Sequence, residues 1–147
     1  MMRSPFFAAT PPCDRIALYG SLMQGLGALD ALALSHALQL EGPCVIPGRL
    51  FDLGPYPGLR LGDGRVAGEL YRIESPDALA RLDDFEGFEP ERPSESLYVR
   101  LRLTLLEPAD RSAWVYLYNH EPAPAALVPH GDWRAHLRTR EAEAPST

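Results

Sequence analysis

The chain has 147 residues, 46% of them hydrophobic, which is enough for one domain with a proper core and too few for two. Its 20 acidic and 14 basic residues give a net charge of −6, which argues against nucleic acid or an anionic membrane as a partner. No stretch approaches the ~18 consecutive apolar residues of a membrane helix. Residues 1–14 are broken by prolines and predict a flexible leader without a signal peptide. We therefore expect a cytoplasmic protein.

The two cysteines and four histidines do not form a metal-binding pattern. Cys13 and Cys44 make no C-x-x-C pair, and their spacing to the histidines does not resemble a tetrahedral zinc site. We interpret both as free thiols in a reducing compartment. The sequence predicts neither a metal nor a cofactor.

The first predicted element is a strand over residues 15–19 that runs into a glycine turn. The turn has the sequence Tyr19-Gly20-Ser21-Leu22. Such a turn can direct successive backbone N–H groups at one point, where they bind a carboxylate or a developing oxyanion. The alternative interpretation is an ordinary connection between a strand and a loop.

A helix and two strands are predicted next. Residues 30–40 have the Leu/Ala content and the length of a helix. Residues 44–53 and 65–73 are β-rich, and the glycines inside them, Gly48 and Gly68, predict bent or bulged strands. The segment between these two strands is rich in Gly and Pro and predicts a connection.

A short helix is predicted between Ser75 and Gly87, since Ser, Pro and Asp suit its first positions and Gly its end. At about 100° per residue, Glu86 falls on the same side as Leu79 and Leu82. The apolar arc of this helix comprises Ala78, Leu79, Leu82 and Phe85, whereas Asp84 points to solvent.

Glu86 is therefore a candidate general acid/base. Removing a carboxylate from water raises its pKa, and a glutamate that titrates near neutral pH can carry protons. The alternative is a glutamate at the rim of the core that extends its carboxylate into solvent at the last helical turn.

Two strands are predicted after this helix. Residues 97–105 alternate between a leucine-rich face, expected to be buried, and a face with Tyr98, Arg100 and Arg102. Residues 113–118 alternate as well, but their second face is aromatic, so both faces need cover or a ligand.

Short, glycine-bent strands without regularly interleaved long helices favour an α+β fold. We expect a small mixed β-barrel of five to six strands with two to three flanking helices. A single domain is predicted over residues 15–134, followed by a C-terminal tail over residues 135–147 that frays.

Taken together, these segments resemble the γ-glutamylcyclotransferase-like superfamily, in particular its γ-glutamylamine cyclotransferase and AIG2-like branch. The matching segments, in chain order, are Leu18-Tyr19-Gly20-Ser21-Leu22, Pro47-Gly48-Arg49-Leu50, Tyr56-Pro57, Val66-Ala67-Gly68-Glu69-Leu70-Tyr71, Leu82-Asp83-Asp84-Phe85-Glu86-Gly87, Tyr98-Val99-Arg100, Trp114-Val115-Tyr116 and Gly131-Asp132-Trp133. No single motif is decisive, but the ordered set is specific.

The resemblance implies an enzyme that releases 5-oxoproline and a free amine from a γ-glutamyl compound, without a metal. It implies that Glu86 is the catalytic acid/base. The substrate-binding residues predicted with it are Tyr19, Gly20, Ser21, Leu22, Tyr98, Arg100 and Tyr118, and Arg100 could hold a carboxylate in a fork. The only partner implied is a small γ-glutamyl molecule.

Two other functions remain open. The first is a small-molecule binding or regulatory module that keeps the pocket but turns nothing over. The second is a scaffold that binds another protein through the aromatic strand at 113–118, whose aromatics would then be exposed. The proline-rich segment 88–96 departs from compact family members and leaves the rim of the pocket, and hence the leaving group, undefined. Candidate substrates are γ-glutamyl-lysine-type amides, γ-glutamyl amino acids and γ-glutamylated metabolites.

Overall fold

A computed structural model describes residues 13–23, 26–34 and 36–143, and this part of the chain forms a six-stranded mixed sheet. The strands in chain order are β1 (Arg15–Leu18), β2 (Leu38–Asp52), β3 (Pro57–Ile73), β4 (Tyr98–Thr104), β5 (Ser112–Tyr118) and β6 (Leu127–Val128). Their order in the sheet is β4-β5-β1-β3-β2-β6, with β1 parallel to β5 and the other pairs antiparallel. The predicted α+β class with a mixed sheet is confirmed.

The sheet curls towards a barrel without closing, since β4 and β6 are its two ends. The segment that follows β4 nevertheless returns to β2 through an isolated bridge between Val45 and Glu107. The Val45 amide donates to the Glu107 carbonyl at 2.8 Å, and the Leu106 amide donates to the Val45 carbonyl at 2.9 Å. This contact encloses one core between the two halves of the sheet.

The described residues contain three α-helices, namely α1 (Ala28–Ala31), α2 (Asp77–Glu86) and α3 (Trp133–Glu143), and two short 3-10 helices at Pro93–Glu95 and Pro124–Ala126. The prediction of a helix over residues 30–40 is wrong. The helical turn of α1 ends before Ala33, which has a φ of 56°, and β2 begins at Leu38. Leu34 and Leu38 are buried, so the leucines that suggested a helical face anchor a turn and the start of a strand instead.

Residues 135–143 are helical, whereas the sequence predicted that this part of the tail frays. Helix α3 spans most of the segment expected to fray, and it docks on the β2–β3 hairpin. The His136 Nε2 lies 2.7 Å from the Asp52 carboxylate, and Arg140 donates to the Gly54 carbonyl at 2.8 Å. These contacts with distant residues hold a helix whose own sequence is mostly polar and contains three arginines.

The two glycines predicted to bend strands have different roles. Gly48 lies at a register shift between β2 and β3 and has a φ of 148°, so the predicted bulge is confirmed there. Gly68 pairs regularly with Cys44, and no bulge occurs at it. A Cβ at Gly68 would lie 2.9 Å from the Leu18 carbonyl oxygen, so this glycine lets β1 approach β3 closely.

The two faces of strand β4 are not divided as predicted, because side chains of both faces contribute to the core, Val99 and Leu103 among them. Tyr98 is buried and Arg100 is half-buried, whereas Leu97 and Leu101 are exposed. The polar ends of the inward side chains have partners, because the Tyr98 hydroxyl donates to the Pro57 carbonyl at 2.5 Å. Amphipathic side chains of this kind can fill a core once their polar atoms are bonded.

Most of the predicted leader, residues 1–12, lies outside the described residues. The two residues that follow pack on the sheet, since the Ile73 amide donates to the Asp14 carbonyl and the Trp114 indole donates to the Cys13 carbonyl. Among the helices of the described residues, none has the length and apolar content needed to span a membrane.

Candidate active site

The turn after β1 is closed by a hydrogen bond from the Met23 amide to the Gly20 carbonyl at 2.9 Å. Among the described residues, the amides of Ser21 and Leu22 have no carbonyl partner within this turn. A Cβ at Gly20 would lie 2.9 Å from the Pro57 ring, so only glycine lets the turn pack against the start of β3. The Ser21 and Leu22 amides are therefore available as main-chain hydrogen-bond donors.

Helix α2 brings Glu86 to the same cavity. Gly87 follows in the left-handed conformation, with a φ of 72°, and ends the helix as predicted. Glu86 is half-buried, and burial raises the pKa of its carboxyl from 4.5 to about 7. A carboxyl in this range can both take and give a proton near neutral pH.

The cavity has a volume of about 300 Å³ and lies between the turn after β1, the β2–β3 hairpin, the end of α2 and the start of β4. Its lining residues are Ala17, Leu18, Tyr19, Gly20, Ser21, Leu22, Pro55, Tyr56, Pro57, Phe85, Glu86, Leu97, Tyr98 and Tyr116. The structure thus brings together Glu86, the whole Tyr19–Leu22 turn and Tyr98, which are among the predicted site residues. The cavity is also lined by four residues that were not predicted as site residues, namely Tyr56, Tyr116, Phe85 and Leu97.

Three buried tyrosines, Tyr19, Tyr98 and Tyr116, line the cavity. The Tyr19 hydroxyl donates to the Tyr116 carbonyl at 2.6 Å and accepts from the Leu59 amide at 3.1 Å. Burial raises the pKa of all three phenols, and the nearby Glu86 carboxylate raises them further, so they stay protonated. The phenols are therefore fixed, neutral neighbours of Glu86.

Asp83, one turn before Glu86 on α2, has a different environment. Arg100 donates to it in a fork, from Nε at 2.8 Å and from Nη2 at 3.1 Å, and the Tyr116 hydroxyl donates at 2.6 Å. Burial alone would lower the pKa of Arg100. The hydrogen bonds to Asp83 and the negative charge of that carboxylate outweigh burial, so the pKa of Arg100 is raised. This clamp joins α2 to β4 and β5, and it was not predicted from the sequence.

Arg100 and Tyr118, predicted as substrate-binding residues, do not line the cavity. The fork of Arg100 is occupied by Asp83, and its guanidinium stacks over the Trp114 ring at 4.3 Å. Tyr118 packs against Tyr98 with the ring centroids 5.6 Å apart. Arg100 does hold a carboxylate in a fork, but that carboxylate belongs to the protein.

The aromatic face of β5 is covered, contrary to what a protein-binding scaffold requires. Tyr116 is buried, and Trp114 and Tyr118 are half-buried. Within the described ranges, no group of three or more His, Cys, Asp or Glu side chains is placed to hold a metal ion.

Comparison with known proteins assigns the chain to a family. Residues 16–135 match the family described as "Gamma-glutamyl cyclotransferase, AIG2-like". The chain is 34% identical over 119 residues to the γ-glutamylcyclotransferase family protein YtfP of Escherichia coli (strain K12), covering 81% of this chain and 95% of that one. It is 31% identical over 106 residues to the γ-L-glutamyl-butirosin B γ-glutamyl cyclotransferase of Niallia circulans, covering 71% of this chain and 66% of that one.

The fold agrees with this assignment. The crystal structure of an AIG2-like protein from Mus musculus superposes with a TM-score of 0.64 at 27% identity, covering 82% of this chain and 87% of that one. The family match over residues 16–135 includes the strands from Ile16 onward, the turn after β1 and the helix that carries Glu86. The chain belongs to the γ-glutamylcyclotransferase, AIG2-like family.

Proposed function

We propose that this protein releases 5-oxoproline and a free amine from a γ-glutamyl amide, with Glu86 as the catalytic acid/base and without a metal. The observation that carries the proposal is the shared cavity. A half-buried carboxyl with a pKa near 7 and a turn with available main-chain donors line the same space. Family membership supports the reaction type.

The substrate supplies its own nucleophile. The Glu86 carboxylate takes a proton from the α-ammonium group, and the amine nitrogen then attacks the γ-carbonyl carbon to close a five-membered ring. Holding the two ends of the glutamyl chain in this geometry contributes much of the rate, because the attack is intramolecular. The amides of Ser21 and Leu22 would stabilise the oxyanion of the tetrahedral intermediate.

Collapse of the intermediate breaks the bond to the departing nitrogen as Glu86 returns its proton to that atom. In total the α-nitrogen loses two protons and the departing amine gains two when it leaves as an ammonium ion. A single carboxyl can carry both in two successive transfers, provided that its pKa lies between those of an ordinary glutamate and an amine. Burial of Glu86 supports this requirement.

The test compares the wild type, Glu86→Gln and the control Asp84→Asn, which changes an exposed carboxylate on the same helix. Each is incubated with a panel of γ-glutamyl amides, and 5-oxoproline is measured by mass spectrometry. We expect the wild type and the control to release it, and Glu86→Gln to be slower by a factor of about 10²–10⁴.

Two results would contradict the proposal. Near-normal turnover by a folded Glu86→Gln variant would remove Glu86 from the mechanism. A wild type whose melting temperature rises with γ-glutamyl amides but which forms no 5-oxoproline would be a binding module instead.

A further inference from the structure

The cavity changes character between its interior and its mouth. The buried part of the lining includes Tyr19, Tyr98 and Tyr116 beside the half-buried Glu86, whereas the exposed part, the mouth, is formed by large hydrophobic side chains. Tyr56, Phe85 and Leu97 line the cavity and are 38%, 45% and 37% exposed. They come from three separate elements, namely the β2–β3 hairpin, helix α2 and the loop before β4. Exposed apolar side chains that converge on one opening indicate a surface that a ligand covers.

The cavity lining offers no charge for a second ionic group on the substrate. Glu86 is the one carboxylate or cationic side chain among the described lining residues, and the proposed reaction occupies it. Arginines on the strands and the loop that border the cavity make ion pairs within the protein. Arg100 is held by Asp83, Arg92 by Glu89 and Glu95, and Arg60 by Glu121.

The orientation of the substrate follows from this division. The γ-glutamyl group has an ammonium, a carboxylate and the reacting carbonyl, so it belongs beside Glu86 and the turn. The departing amine must then lie along the apolar mouth. A charged end there would lose water without gaining a partner, whereas an alkyl or aryl group would bury apolar surface.

Resting on the proposed function, we infer that the preferred substrates are γ-glutamyl amides whose departing amine carries an uncharged, apolar group. A cavity of about 300 Å³ lies at the small end of ligand sites, so a short alkyl chain or a single ring fits this role. Amides of amino acids and of diamines, which place a carboxylate or an ammonium group at the mouth, are disfavoured.

The test uses two amides of equal length that differ in one terminal group, γ-glutamyl-n-hexylamide and γ-glutamyl-(5-aminopentyl)amide. The first ends in a methyl group and the second in an ammonium group. We expect kcat/KM for 5-oxoproline release to be about tenfold or more higher for the hexylamide, the usual discrimination of an apolar pocket. Equal values, or a preference for the aminopentylamide, would overturn the inference while leaving the proposed function intact. No release from either amide, nor from the wider panel, would instead count against the proposed function.

A variant at the mouth ties the preference to these side chains. Leu97→Asp places a carboxylate there, and we expect it to reduce the hexyl-to-aminopentyl ratio by about tenfold. Phe85→Asp tests the same point from helix α2 if the first variant does not fold. The control is Leu61→Asp, which adds the same charge at a leucine that is 61% exposed and outside the cavity lining, and should leave the ratio unchanged. An unchanged ratio in a folded mouth variant would show that the mouth does not select the amine.

Discussion

Asp83 and Glu86 lie three residues apart on helix α2, yet their carboxylates have opposite surroundings. Asp83 accepts hydrogen bonds from the fork of Arg100 and from the Tyr116 hydroxyl. Glu86 faces a cavity lined with tyrosines and apolar side chains, and burial raises its pKa to about 7. The first charge is stabilised by partners, whereas the second is not.

One helix thus has an anchor at Asp83 and, under the proposed function, a proton carrier at Glu86. A carboxylate that is bonded to a cationic partner fixes the position of its helix, whereas a desolvated carboxylate without one exchanges protons near neutral pH. The clamp at Asp83 lies outside the cavity lining and holds the helix that carries Glu86. The comparison predicts that the two residues respond to substitution in opposite directions.

The largest expected effect on stability is at Asp83. Asp83→Asn leaves the half-buried Arg100 guanidinium without its counter-charge, so we expect the free energy of unfolding to fall by about 3–5 kcal/mol. Urea denaturation measures this change. The control Asp84→Asn, at an exposed neighbour, should stay within about 0.5 kcal/mol of the wild type. A similarly small change for Asp83→Asn would show that the clamp does not hold the helix.

Glu86→Gln should have the opposite effect. The folded protein holds the Glu86 proton more tightly than the unfolded chain does, so ionising Glu86 reduces stability as the pH rises from 4.5 to about 7. The variant should therefore be more stable than the wild type by about 2–3 kcal/mol at pH 8 and equally stable near pH 4. Denaturation at both pH values measures this, with exposed Glu91→Gln as the control. A difference that does not depend on pH would contradict the raised pKa.

Tyr116→Phe isolates the second donor to Asp83. The ring is retained and one hydrogen bond to a charged group is lost, so we expect a decrease of about 2 kcal/mol in the free energy of unfolding. Tyr56→Phe, at an exposed tyrosine, should cost less than about 0.5 kcal/mol. If both variants unfold at the same urea concentration, Arg100 alone holds Asp83.

The pH dependence of turnover should follow Glu86. Only its ionised form can take a proton from the substrate, so kcat/KM should rise with pH and level off above about pH 7. Below that midpoint we expect a decrease of about tenfold per pH unit. An acid limb with its midpoint near 4 would assign the proton transfer to an ordinary carboxyl.

Local patterns were sufficient to predict the glycine end of helix α2, the turn after β1 and the inward position of Glu86, whereas the helix begins at Asp77 without the predicted cap by the Ser75 side chain. Each depends on a period or a glycine that acts within a few residues. Phe85, on the same predicted apolar arc, is 45% exposed instead, because it lies at the open mouth of the cavity. A helical period shows which side faces the protein, but not where that side meets an opening.

Asp83 could not be recognised in the same way, because its partners are far away in the chain. Arg100 follows it by 17 residues and Tyr116 by 33, and only the folded sheet brings them together. One signal was available. Strand β4 carries Tyr98 and Arg100 on one face. Because the other face is rich in leucine, the polar face was interpreted as exposed to solvent. The errors at residues 30–40 and 135–143 have the same origin, since long-range pairing and docking outweigh local propensity there.

The most direct test of the account is the titration of Glu86 itself. The carboxyl carbon of Glu86, assigned by comparison with Glu86→Gln, can be followed by NMR from pH 4 to pH 9 in the free protein. We expect a midpoint near pH 7, well above the usual 4.5 of a glutamate. A midpoint near 4.5 would mean that the carboxylate is solvated, and Glu86 would then be no more suited to carry protons than any exposed glutamate.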